Sequence, residues 1–146
     1  MVARHRTDQA VFLYVGKTGD NRAGCNPVVS RAGNHFSFNK IHSQMRNKLP
    51  VPPEECDFDF FYAAFDPYVD APESRERIDV VNEMERRLNA LCQEAFGDMV
   101  INPHRGAAWV APRERARREE VATLQRVGQL QDLVRHVKEF LEGGRP

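Results

Sequence analysis

The chain has too little of several things to belong to the easily named classes. Its apolar runs stop far short of the roughly 20 residues a membrane-spanning helix needs, and its opening, M-V-A-R-H-R-T-D-Q, lacks the apolar stretch of a signal peptide. Cysteine is scarce: Cys25, Cys56 and Cys92 are odd in number and far apart, with no C-x-x-C and no Cys/His pairing. Free thiols in a reducing cytoplasm fit that pattern better than a disulfide frame or a zinc site. Charge of one sign is missing too, because 21 Lys and Arg balance 21 Asp and Glu. No global basic field exists, so any surface for a polyanion must be local. Repeats and low-complexity tracts are absent. What remains is 146 residues with an ordinary 41% apolar share, enough for one domain with a real core and an appendage.

The richest stretch is Val11 to Gly19, V-F-L-Y-V-G-K-T-G. Its apolar run has the composition of a buried strand. Gly16 and Gly19 then allow backbone conformations that other residues resist, so the strand ends in a tight polar turn. Tyr14, Lys17 and Thr18 bring a phenol, an ammonium and a hydroxyl to one edge of a sheet. Taken alone, the stretch also reads as a plain core strand with a glycine turn.

The rest of the chain divides around it. Residues 1–10 are polar and are not expected to form a buried strand unaided. Asp20 to Pro27 reads as a loop. Phe38, Ile41, Met45 and Leu49 recur at helical spacing, which predicts a helix over 37–48 that Pro50, Pro52 and Pro53 end. Asp57 to Asp66 has the aromatic density of a strand. A second helix is expected over 74–96, stopped by Gly97, and Ala107 to Val110 reads as a short strand. Beyond a densely charged Arg113 to Glu120, the residues Leu124, Val127, Leu130, Val134, Val137 and Leu141 define one amphipathic helix from about 114 to 142. That helix either packs on its own domain or pairs with a second copy. The fold class is therefore α+β: a small antiparallel sheet flanked by helices within 11–112, and a C-terminal helical extension over 113–146.

Several residues have chemical potential. Arg31 and His35 stand four apart and share a helix face with Phe38, His42 and Met45. An Arg can grip a phosphate with forked charge-assisted bonds, and a His beside it can shuttle a proton, although such pairs are commonly structural. On the second helix, a wheel centred on Val81 puts Met84, Leu88, Leu91, Cys92 and Ala95 on one arc. Glu85 falls inside that arc, whereas Glu83, Arg86, Arg87 and Glu94 point away. A carboxylate aimed into an apolar face is costly unless paired. An inward cation would satisfy it, and so would Mg²⁺, which takes one or two carboxylates and keeps waters; the wheel leaves both open. Asn102 is either a turn former or a hydrogen-bonding member of the same site.

In order, Y-V-G-K-T-G, then S-R-A-G-N-H, then an aromatic strand, a helix with an inward Glu, and I-N-P resemble the GIY-YIG endonuclease superfamily, particularly its restriction-enzyme-like and phage-type branches. The resemblance spans about Val11 to Pro103. Tyr14, Val15 and Gly16 match the second half of the signature, and Lys17 and Thr18 the residues that commonly follow. Arg31 and His35 match the helix pair, Glu85 the single metal-binding Glu, and Asn102 the Asn beyond it. The resemblance implies a Mg²⁺-dependent hydrolase of nucleic-acid phosphodiesters, in the first place DNA. In it Glu85 holds the metal, Arg31 stabilises the phosphoryl oxygens, Tyr14 and His35 orient or activate water, and Lys17 lowers a tyrosine's pKa or contacts phosphate. Gly16, Thr18, His42 and Asn102 support them.

The G-I-Y half of the signature, whose Tyr is the family's expected general base about ten residues earlier, has no counterpart in residues 1–10. A start lying further upstream, a loss with Tyr14 or His35 taking over, or a domain that binds without cutting would each account for that. A missing first strand would also leave the edge at Val11–Val15 unpaired.

Overall fold

The computed structural model describes residues 1–18, 33–37, 43–65, 75–104 and 110–143. Strand β1 (Val2–His5) lies at the centre of a three-stranded antiparallel sheet, between β2 (Val11–Leu13) and β3 (Cys56–Asp59). The polar N-terminal segment is thus a buried strand after all. Val2 and Ala3 are enclosed by both neighbours. Two apolar residues are too few for periodicity to register, and pairing on both sides supplies what composition does not.

A turn at residues 6–9 returns the chain to β2. His5 donates its backbone N–H to the Ala10 carbonyl, and Gln9, at a φ of 61°, donates to the His5 carbonyl. The His5 imidazole fastens this hairpin from the side. Its Nδ1 lies 2.7 Å from Asp8 Oδ1 and its Nε2 3.2 Å from Glu55 Oε2. Hydrogen bonds to Asp8 and then Glu55 raise the imidazole above its usual pKa, against the pull of burial. A raised histidine stabilises the fold fully below its unfolded value, and that share is lost as pH rises through the folded value. The difference in melting temperature between wild type and His5→Gln is therefore expected to be widest near ~pH 5.5 and to shrink toward ~pH 8.5. A difference that stays constant across that range would contradict the assignment.

The far edge of β2 is covered as well. Leu13 forms a parallel bridge with Val100, and Ile101 donates to the Leu13 carbonyl at 2.9 Å. The expected bare edge does not exist. Nor does the aromatic strand run to Asp66: Val2 opposite Asp59 ends the ladder, and residues 60–65 continue without one. Of the helix expected over 37–48, α1 (Gln44–Lys48) is described, with residues 33–36 as a separate helical turn and 38–42 outside the described residues. Residues 105–109, where a short strand is expected, also lie outside them.

Side chains of the sheet alternate between two cores. Ala3 and Tyr14 join Met45, Leu49 and Cys56 on one face; Val2, Leu13 and Val15 join Cys92, Val100 and Val137 on the other. Helix α2 (Arg75–Phe96) covers the second face. The single C-terminal helix is two: α3 (Pro112–Glu120), with Pro at its first turn, and α4 (Leu124–Gly143). Thr123 interrupts them because its hydroxyl accepts the Arg126 N–H, as an N-cap does. The apolar face of α4 is used within the domain, where Leu130 joins Val80 and Met84 of α2.

Helix α3 overturns one expectation about α2. Glu83, on the side opposite the apolar arc, is 1% exposed rather than solvated. Its carboxylate accepts from Arg86 at 2.9 and 2.6 Å and from Arg87 at 2.7 Å. Burial alone would raise its pKa, but the two guanidinium partners outweigh it and hold the group below the usual range. Asp79, likewise buried, accepts from Arg117 of α3 at 3.1 Å, with Arg75 and Arg118 beside it. A wheel sees only one helix, and here a second helix lies along the polar side. Among the described residues, no helix is long and apolar enough to cross a membrane.

Candidate functional site

The end of β2 distributes its residues to both sides of the sheet. Tyr14 points into the Ala3 face, where its ring meets that of His35 edge-on at 4.8 Å between centroids. Both rings are buried. Gly16 fits closely against the phenol: a Cβ there would stand 3.0 Å from Tyr14 Cε1 and 3.9 Å from His35 Nε2, so the Tyr14 ring would have to give by a few tenths of an ångström.

One residue later the chain turns to the opposite side. The Lys17 ammonium hydrogen-bonds Asn82 Oδ1 and lies 3.6 Å from Glu85 Oε2. Glu85 is neither solvated nor fully buried; its carboxylate sits at a wall with 21% of the side chain exposed. The inward placement read from the wheel is therefore what the structure has, with Lys17 as the inward cation. Asn82, three residues before Glu85 and so on the same face, was not singled out by the sequence.

Asn102 does not reach this cleft. Its side chain behaves as a strand partner of β2: Val15 N–H donates to Oδ1 at 2.9 Å, and Nδ2 donates to the Val15 carbonyl at 2.6 Å. Asn89, buried on α2, holds that arrangement in turn. Its Nδ2 donates to the Asn102 carbonyl at 3.0 Å, and its Oδ1 accepts from the His104 N–H at 2.9 Å and from Gln93 at 2.6 Å. Asn89 thus fixes where the strand carrying Tyr14, Gly16 and Lys17 ends. A lone Asn inside a helix gives no signal in sequence, because its partners are backbone groups of a distant turn.

Gly16, Lys17, Thr18 and Glu85 line a cavity of ≈ 140 Å³ whose apolar wall comes from Phe61, Tyr62, Met84 and Leu88, and from Leu130 and Leu133 of α4. The C-terminal extension therefore contributes to the cleft. Arg31 and His42 lie outside the described residues, as does Gly19. Among the described residues, no three His, Cys, Asp or Glu groups converge as a metal cage. A lone carboxylate at a cleft wall nevertheless suits Mg²⁺, which commonly takes one protein carboxylate and completes its shell with water and phosphate oxygens.

β1 carries no phenol. Ala3 shares the Tyr14 face and is 0% exposed, packed beside Met45 and Cys56. The Ala3→Tyr variant, which would place a phenol on β1, is expected to overpack this face and lower stability by about 1–3 kcal/mol or more in a denaturant titration. An unchanged midpoint would show that room exists. No protein-family model, no curated protein and no solved structure matches this chain.

Proposed function

We propose that the chain is a divergent GIY-YIG-type endonuclease that hydrolyses DNA phosphodiesters with one magnesium ion. The observation that supports this reading is the pairing on either side of Gly16, with Tyr14 beside His35 on one face of the sheet and Lys17 beside Glu85 on the other. These are residues that the ordered motifs select from separate stretches of sequence. In this reading Glu85 holds the metal, which when bound polarises the scissile phosphate and eases departure of the 3′ oxygen. Lys17 contacts a neighbouring phosphate once the strand displaces it from Glu85. Arg31 stabilises charge on the phosphoryl oxygens, and Tyr14 with His35 orients or activates water. The setting is cytoplasmic, which the free and buried Cys56 and Cys92 support.

A second reading, a module on the same fold that binds nucleic acid or assembles without cutting, draws on Ala3. The strand that should offer the phenol offers a methyl group instead. Nicking of supercoiled plasmid in Mg²⁺ separates the two. Arg31→Ala and Glu85→Ala should each cost about 100-fold or more. Cleavage that survives both substitutions would sink the assignment, and a wild-type chain that binds without nicking would favour the module.

A further inference from the structure

We infer that the aromatic segment beside the Lys17–Glu85 cleft is a stacking platform for an unpaired nucleobase, so that the preferred ligand is single-stranded rather than duplex nucleic acid. The inference rests on the proposed function only in taking the Lys17–Glu85 end as the place where the strand's phosphates lie.

Residues 60–65 leave the β3 ladder and run on as F-F-Y-A-A-F. Their alternation divides them. Phe61 turns inward and meets Phe140 of α4 edge-on at 5.2 Å, and Ala63 and Phe65 pack toward Val80, Met84 and Leu130. Phe60 and Tyr62 turn out, 48% and 72% exposed. An aromatic ring left this exposed gains little burial energy, so the fold does not depend on the ring at Tyr62. Tyr62 also lines the cleft, together with Phe61 and Phe65.

The cleft's size and chemistry narrow what it accepts. At ≈ 140 Å³ it lies well below the roughly 300–1,000 Å³ of drug-sized sites, so it admits about one planar ring. Its walls are apolar and aromatic, while its Gly16–Thr18 end presents an ammonium, a hydroxyl and the Glu85 carboxylate. A nucleobase has that same division, with two π-faces and an edge of donors and acceptors, and its attached phosphate suits Lys17. Inside a duplex the faces are already stacked and unavailable. Single strands offer them, and stacking on an aromatic side chain tolerates any base.

Fluorescence anisotropy of the full chain with labelled single-stranded DNA, single-stranded RNA and duplex DNA tests the inference, with Mg²⁺ withheld. Wild type should bind single strands more tightly than duplex. Tyr62→Ala should weaken single-strand binding about 5- to 150-fold, the equivalent of one base stack, and Tyr62→Phe should restore it. Duplex binding should not change. Because Tyr62 is exposed, the Tyr62→Ala variant should melt with the wild type. The DNA and RNA arms say which strand fits better, and tight Tyr62-dependent binding of either supports the platform. Single-strand binding that Tyr62→Ala leaves unchanged, or equal losses for duplex and single strand, would overturn it. Plasmid nicking that depends on Glu85 without any Tyr62 dependence of binding would leave the nuclease reading standing and remove the platform. Tyr62-dependent binding with no nicking would do the reverse.

Discussion

Glu85→Gln is expected to lower magnesium-dependent nicking at least ~100-fold while shifting stability by no more than about 1 kcal/mol. The amide keeps the shape of the carboxylate and one acceptor for the Lys17 ammonium, which also retains its bond to Asn82. Only the charge that would hold a divalent cation is removed. The contrast between a large loss of activity and a small loss of stability is what distinguishes a metal ligand from half of an ion pair. Were Glu85 purely structural, Gln would change melting and activity in proportion. Lys17→Met is the natural companion. It frees Glu85 of its cation, so a magnesium-dependent rise in melting temperature should grow in that variant and vanish in Glu85→Gln.

Asn89→Leu is expected to cost about 1–3 kcal/mol in a denaturant titration, among the largest effects of any single substitution here. Leucine removes one donor and one acceptor at once, leaving the Asn102 carbonyl and the His104 N–H without their partner in a part-buried setting. Water reaches both groups in part, so the two losses together cost about what one fully buried loss would. The damage should also travel, because the turn that Asn89 holds carries the side chain that grips both backbone groups of Val15. Single-turnover cleavage by any folded fraction should therefore slow even though Asn89 touches nothing in the cleft. Gln93→Ala removes only a half-exposed partner of Asn89 and should stay within about 0.5–1 kcal/mol. If the two variants melt together, the anchoring role is wrong.

Much of the fold is legible in the sequence, and the failures have physical causes. The span of α2 shows because Met84, Leu88 and Cys92 recur at helical spacing and Gly97, at a φ of 55°, stops the helix. The α+β class shows for the same reason. β1 does not show, because a four-residue strand between two partners owes its burial to pairing rather than to an apolar run. The C-terminal helix is misjudged in length because the charged Arg113–Glu120 stretch suits a helix as well as the apolar repeat from Leu124 does, while the chain breaks at Thr123 to lay α3 against Asp79. Glu83 is misplaced for a related reason: nothing local says that the charged stretch of α3 will cover the polar side of α2.

Within the site, chemistry-bearing residue types were easier to find than the residues that position them. Tyr14, Gly16, Lys17, His35 and Glu85 stand out from motif order; the fold sets Tyr14 beside His35 on one side of the sheet and Lys17 beside Glu85 on the other. Asn102 stands out too, but as a clamp on Val15 rather than a member of the cleft. Asn82 and Asn89 do not stand out, because a polar residue at the border of a helix's apolar arc reads the same whether it is solvated or bonded across the fold.

The most direct measurement is the conversion of supercoiled plasmid to the nicked circle by the intact chain, followed with Mg²⁺ and with a chelator, in parallel for wild type and Glu85→Gln. A metal held by Glu85 predicts nicking by the wild type that the chelator stops and that Glu85→Gln lowers by at least ~100-fold. Nicking that persists in the chelator, or that Glu85→Gln leaves intact, would contradict it.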